Sequence, residues 1–277
     1  MPGIHTFNDG STLLDPVAAA IGVTTDRINL VACMVLSIPL AIVYNKRLAN
    51  AETTIRQLYP AVIGISFCYF LFGSAIKHLL ANILGCYAIL HISPTAHVHR
   101  VVFIFALSYL TWVHFYRWQY LDTYTIDVTG AFMVVVQKVT TLAFSLHDGK
   151  VKKESELSEL QKREAVRNVP PFLAYISYLL HFQTVLTGPL CFYTDWIDLT
   201  EGTHVQKNSK GELPSPMPDA LVKMLKSLFF VLVIAFIEPH FPLSQLDRTD
   251  MNPLSWVILF WFTIMLCRFP YYFAWYF

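Results

Sequence analysis

Apolar positions in this chain come in long blocks. The first without charge runs over Ile28–Tyr44, and Asn45, Lys46 and Arg47 follow it directly. Others cover about Leu58–Gly73, Leu79–Ile92 and Val101–Tyr116, with Lys77 and His78 between the second and third and Arg117-Trp118 closing the fourth. A fifth runs over Asp127–Leu146. Blocks of about 15–22 residues approach the ~20 that an α-helix needs to cross about 30 Å of hydrocarbon, so each is predicted to be a membrane-spanning helix.

The remaining segments read differently. Residues 1–27 are polar, with a short interfacial helix predicted around Leu13–Ile21. Residues 147–169 form the most charged stretch. Within it Ser158 and Gln161 have capping-box spacing, which predicts a surface helix from there to about Arg167, ended by Pro170-Pro171. Phe172–Cys191 is apolar and aromatic but interrupted by His181, Gln183 and Gly188-Pro189, a pair that fits either a re-entrant hairpin or a crossing. A polar loop at 193–219 precedes two more apolar segments, Ala220–Ile237 and Leu254–Phe277. The expected fold is therefore all-α and polytopic: a polar or interfacial segment at 1–27, then a multi-span membrane domain at 28–277. Lysines and arginines are sparse before Ile28 and dense after the first span and in 147–169. With five spans between, this places the amino terminus on the lumenal or extracellular side and the charged loop in the cytosol.

Composition agrees. The chain is 55% hydrophobic and only 14% charged, too apolar for an ordinary soluble domain. A net charge of +1 without a basic block argues against nucleic acid as a partner. Cys33, Cys68, Cys86, Cys191 and Cys267 lie mostly in apolar segments without CxxC spacing and read as free thiols. His97-Val98-His99, with His91 upstream, has no Cys, Asp or Glu beside it and reads as an interfacial loop rather than a metal site. No nucleotide-binding or zinc motif occurs, so no bound cofactor is expected. No cleavable signal peptide is visible, which leaves targeting to the first span.

Candidate chemistry concentrates at polar residues inside apolar helices. Gln137 and Lys138 sit mid-span, where a lysine costs roughly 2.5–3.5 kcal/mol on insertion scales. Two readings stand: a wet cavity or substrate tunnel lined by this pair, or a structural contact satisfied by a carbonyl or a carboxylate. Either requires burial against protein. His147-Asp148 could form a catalytic pair, but neighbours on a helix point about 100° apart, and Gly149 fits a helix C-cap. His181 and Gln183 are further cavity candidates. Tyr271-Tyr272-Phe273-Ala274-Trp275 reads as an interfacial aromatic belt.

Three blocks together resemble a known family. They are Asp127-Val-Thr-Gly-Ala-Phe-Met running into Gln137-Lys138-Val-Thr-Thr-Leu-Ala-Phe and His147-Asp148-Gly149; Pro171-Phe-Leu-Ala-Tyr175-Ile-Ser-Tyr178 running into Gly188-Pro189, Asp195-Trp-Ile and Glu201-Gly202; and the Tyr271–Trp275 block. Their order and spacing are similar to the membrane-bound O-acyltransferases, in the lysophospholipid acyltransferase branch. That resemblance implies acyl-CoA as co-substrate, a lysophospholipid as acceptor, membrane lipids as surroundings and the endoplasmic reticulum as location. It also implies a histidine general base with an asparagine partner. In the family both lie beyond the Tyr-Tyr-Phe-Ala-Trp block, the histidine within Trp-His-Gly. No Trp-His-Gly occurs in this sequence, so none of its ten histidines inherits the role by motif and no catalytic residue is assigned. The chain is expected to resemble the amino-terminal half of such an enzyme and to be inactive alone. A non-catalytic membrane protein or a regulatory short isoform is the alternative.

Overall fold

The computed structural model describes residues 6–121, 125–203, 217–237, 240–248 and 250–276. These residues contain helices and no strand. The chain divides into two compact units, Met1–Val205 and Gln206–Phe277. It is an all-α, multi-pass membrane protein.

In the first unit the five predicted blocks are α2 (Thr25–Arg47), α3 (Thr53–Phe72), α4 (Ile76–Ile92), α5 (Val98–Tyr120) and α6 (Val128–Val151). Each extends into flanking polar residues. Hydrocarbon offers no partner to backbone N–H and C=O groups, so helices must carry these bonds internally through the whole apolar stretch. The interfacial helix predicted near the amino terminus is α1 (Asp15–Ile21). Together α3 and α4 make an apolar stretch of 40 residues, Thr53–Ile92. At 1.5 Å per residue this is about 60 Å, twice the hydrocarbon thickness. Gly73 divides it, with φ 54° and ψ −129°, a conformation that a side chain opposes.

Contacts at the two ends of the bundle fix the direction of each helix. The carbonyls of Phe72 and Phe70, at the end of α3, accept from the amides of Asp9 (3.1 Å) and Ser11 (2.8 Å). Asn8 donates to the Ile126 carbonyl at 2.7 Å, and the Phe7 carbonyl accepts from Val128, the first residue of α6, at 3.2 Å. The amino-terminal segment, the α3–α4 turn and the start of α6 thus share one end. At the other end, His99 of α5 lies against His147 of α6 with ring centroids 4.0 Å apart. Tyr87 of α4 reaches the Pro170 carbonyl there at 3.3 Å. Residues 7–11 and the charged stretch 147–170 therefore sit at opposite ends, with α2 to α6 running between them.

The structure settles one alternative and departs from the sequence reading elsewhere. Phe172–Cys191, which fitted either a re-entrant hairpin or a crossing, is not a continuous spanning helix. Only α8 (Phe172–Leu179) forms, about 12 Å long at helical rise, and turns carry the chain past a cis Gly188-Pro189 bond. The surface helix α7 (Glu159–Glu164) begins at the predicted Ser158/Gln161 capping box but ends before Arg167. Gly149 is not a C-cap: α6 continues to Val151. A Cβ at Gly149 would collide with the Val166 carbonyl, so glycine here permits close approach of the returning chain, whose Val166 amide bonds the Ser145 carbonyl at 3.0 Å. The predicted loop at 193–219 opens with a helix, α9 (Tyr193–Glu201). Tyr193, Trp196 and Thr200 form its buried face, the i, i+3, i+7 stripe of an amphipathic helix. Residues 204–216 of that loop lie outside the described residues.

In the second unit, α10 (Met217–Phe236) pairs with α12 (Phe269–Tyr276). Phe230 packs on Phe269, Tyr272 and Tyr276 at 5.1, 5.4 and 5.7 Å. The predicted segment Leu254–Phe277 breaks into α11 (Pro253–Leu266) and α12 at Cys267-Arg268. Pro270 cannot donate to a carbonyl four residues back, and its ring excludes a continuous helix.

The end-to-end arrangement makes a topological prediction. A protease site inserted near Glu156 is cut from outside sealed microsomes. Protection of that site until detergent is added would show the opposite orientation.

Candidate functional site

Lys138 and Gln137 are neighbours on α6, and the helix sends them in different directions. Gln137 faces outward and is exposed; its carbonyl takes the hydroxyls of Thr140 (3.0 Å) and Thr141 (2.7 Å). Lys138 is fully buried. Its Nζ donates to the Tyr178 carbonyl at 2.9 Å and to Thr184 Oγ1 at 2.6 Å, with the Tyr178 ring centroid 5.2 Å away. Tyr178 lies in the last turn of α8, where helix carbonyls have no intrahelical donor. The ammonium of one helix thus caps another inside the bundle. This is the structural contact that the sequence left open, satisfied by a carbonyl.

The capped end is held from several sides. The Tyr175 hydroxyl donates to the Ile83 carbonyl of α4 at 2.9 Å. The Tyr178 hydroxyl donates to the Cys191 carbonyl at 2.8 Å. The Leu180 carbonyl lies against Gly64 of α3, where a Cβ would collide with it. Tyr193 meets Tyr178 edge-on at 5.4 Å; burial pushes its phenol up to about 12, with Glu201 adding to the effect, so Tyr193 packs as a neutral ring.

His181 follows this turn and is 3% exposed. Its ring stacks on Phe182 at 5.3 Å and meets Tyr44 edge-on at 6.3 Å. Neither ring nitrogen has a hydrogen-bond partner among the described residues. Gln183, two residues on, points outward and is exposed. Arg56, in the first turn of α3, is also buried. It donates to the carbonyls of Ala49 (3.2 Å) and Leu199 (2.8 Å) and lies 5.6 Å from the Tyr44 ring centroid.

A second cluster closes the far end of α6. His147 Nδ1 and Asp148 Oδ1 do approach one another, at 3.4 Å, despite their angular separation on the helix. The carboxylate is already engaged, however, by Lys152 at 2.6 Å and by Gln161 Nε2 at 2.9 Å. Gln161 also accepts from the Ser158 amide at 3.1 Å through its other side-chain atom. One residue therefore caps α7 and braces it to α6. His99, read as part of an interfacial loop, lies instead in the first turn of α5, buried against His147.

The structure thus brings Lys138 and His181 into one interior region and His147 with Asp148 into another, and leaves Gln137 and Gln183 outside both. Sequence reasoning missed Tyr178, Thr184, Tyr44 and Arg56 as their neighbours. Tyr178 stood within a family-like block; the others carried no local signal.

Comparison with known proteins fits this architecture. Residues 113–277 match the membrane-bound O-acyltransferase family. The chain belongs to that family. It is similar to "Lysophospholipid acyltransferase 6" of Drosophila melanogaster, 33% identical over 286 residues, covering 96% of this chain and 40% of the relative. It is also similar to the human "Membrane-bound glycerophospholipid O-acyltransferase 1", at 34% over 286 residues, covering 96% of this chain and 58% of the relative. The human "Membrane-bound glycerophospholipid O-acyltransferase 2" is 33% identical over 291 residues, covering 98% and 56%. The chain spans about half the length of these curated relatives.

Two predictions follow from the capped turn. Lys138→Met strands the Tyr178 carbonyl in an apolar core, which costs about 1–3 kcal/mol, and lowers the melting temperature of detergent-solubilised protein. A double-mutant cycle with Thr184→Val returns a coupling of about 0.5–3 kcal/mol; strictly additive effects would exclude the Lys138–Thr184 bond. Gly64→Val overpacks the α3–α8 contact and destabilises by roughly 1–3 kcal/mol, read by the same thermal scan; a melting temperature equal to wild type would refute that contact.

Proposed function

We propose that this chain serves acyl transfer from acyl-CoA to the free hydroxyl of a lysophospholipid in the endoplasmic reticulum membrane. The observation that carries the reading is near-complete coverage of the chain, 96–98%, by relatives named as lysophospholipid or glycerophospholipid acyltransferases. The membrane setting supports it chemically. CoA is soluble while both acyl chains favour hydrocarbon, so the reacting groups must meet inside a bundle that hides polar groups from lipid.

The contribution of these residues, in this proposal, is architectural. A general base needs a pKa near working pH and reach to the acceptor hydroxyl. The Asp148 carboxylate beside His147 is occupied by Lys152 and Gln161, and His181 stands in no Trp-His-Gly setting. The helical core around Lys138 positions the acceptor lipid, and the proton transfer is carried by a histidine that these 277 residues do not supply.

A complementation assay tests this. In membranes lacking endogenous activity, the chain alone gives no product from radiolabelled oleoyl-CoA with lysophosphatidylethanolamine or lysophosphatidylserine. Fused to the part of a glycerophospholipid O-acyltransferase that lies beyond the matched region, it gives product. Product from the chain alone, lost on mutating His147 or His181, would place the base within it. A correctly inserted fusion without product would favour a non-catalytic membrane protein.

A further inference from the structure

Two cations are buried in the first unit without a carboxylate. The ion pairs among the described residues join Arg117 to Asp127, His147 and Lys152 to Asp148, Lys162 to Glu159 and Arg163 to Glu164. Neither Lys138 nor Arg56 is in that set, though Lys138 is 0% and Arg56 7% exposed. Buried charge is ordinarily paired, because the desolvation of an isolated ion is large. Carbonyls and a hydroxyl answer part of the hydrogen bonding but neutralise nothing.

An independent observation lies between them. His181 is 97% removed from solvent with both ring nitrogens unpartnered, and Arg56 Nε is unpartnered too. Buried polar atoms almost always have a partner, because one left unmade carries the full desolvation cost of the group. The three residues follow one seam. Arg56 lies 5.6 Å from the Tyr44 ring, and Tyr44 is 6.3 Å from the His181 ring. The His181 carbonyl accepts from Thr184 Oγ1 at 3.3 Å, and that hydroxyl accepts from Lys138 at 2.6 Å.

We propose that Lys138, His181 and Arg56 form an internal subsite for a phosphate-ester anion. The inference rests on the acyltransferase reading only for the source of the anion, the head group of a lysophospholipid or the phosphates of CoA. Two positive charges exclude a metal cation and disfavour a neutral thioester as the occupant. A neutral imidazole offers one N–H donor to a phosphate oxygen and one acceptor to a hydroxyl or ammonium of the same head group. Arg56 Nε adds a charge-assisted donor. Arg56 sits near α9, and α9 meets the charged stretch through the bond of Thr194 to Glu164. The Arg56 end of the seam therefore lies toward the end of the bundle that carries residues 147–170.

The test reads binding and not turnover, so failure of acyl transfer and failure of this proposal are separable. The 277-residue protein is purified in a maltoside detergent, which carries no phosphate. It is titrated with lysophosphatidylethanolamine, with a monoacylglycerol of the same chain, and with CoA, following tryptophan fluorescence and melting temperature. The phosphate-bearing lipid or CoA raises the melting temperature and the monoacylglycerol does not; whichever of the first two acts identifies the source. Lys138→Met and His181→Phe weaken that binding roughly tenfold or more, while Lys138→Arg and His181→Gln retain most of it. If Lys138→Met fails to fold, Arg56→Gln and His181→Phe carry the test. Equal stabilisation by monoacylglycerol, no stabilisation by any ligand, or wild-type affinity in those variants overturns the proposal.

Discussion

The bond from Lys138 to the Tyr178 carbonyl is the interaction on which the first unit depends. A helix that ends inside a membrane protein leaves carbonyls that neither lipid nor water can satisfy. α8 ends in this way after eight residues, and the turn that follows must thread between α3, α4 and α6. A donor has to come from another element. A lysine supplies it best, since its long stem crosses the apolar gap and its head bonds two acceptors at once. Once that bond is made, Gly64 can lie against the Leu180 carbonyl and Tyr175 can reach Ile83. The mid-span charge is thus a requirement of the broken helix.

The same logic orders the far end of α6. Asp148, Lys152 and Gln161 are polar groups at the edge of the bundle, and each satisfies another. They hold α7 against α6, while glycine at 149 lets the chain return close by. The two clusters differ in balance. The one at the edge is paired acid to base, as expected where water is near. Among the described residues the one in the interior holds cations without a carboxylate, and that asymmetry separates a brace from a place prepared for something else.

Much of this was legible in the sequence. The five long helices followed from block length, because membrane thickness imposes length directly. The capping box at Ser158 is a local signal and fixed the start of α7. Lys138 was conspicuous because charge at mid-span is expensive, and the sequence could say that it must be buried. What it is buried against was not legible: Tyr178 and Thr184 lie 40 and 46 residues away. Nothing local marked Arg56 as buried, since one of its two carbonyl partners, Leu199, lies 143 residues away. Gly149 was misread for the reverse reason. Its position suggested a local backbone demand, whereas the demand comes from a distant strand of chain.

The segment at residues 7–11 has a consequence for biogenesis. Its bonds are to Phe70, Phe72, Ile126 and Val128, so it is made before its partners and completed late. The helices α2 to α5 must all emerge from the ribosome before the last of these partners exists. Until then the segment waits on its own side of the membrane, with its amides bonded to water. Its closure is a long-range event with a large loop to order, and it joins an earlier stretch of chain to the start of the helix that holds Lys138. The segment in effect reports that α6 has arrived in register, which makes it the point at which an earlier-synthesised part of the chain checks a later one.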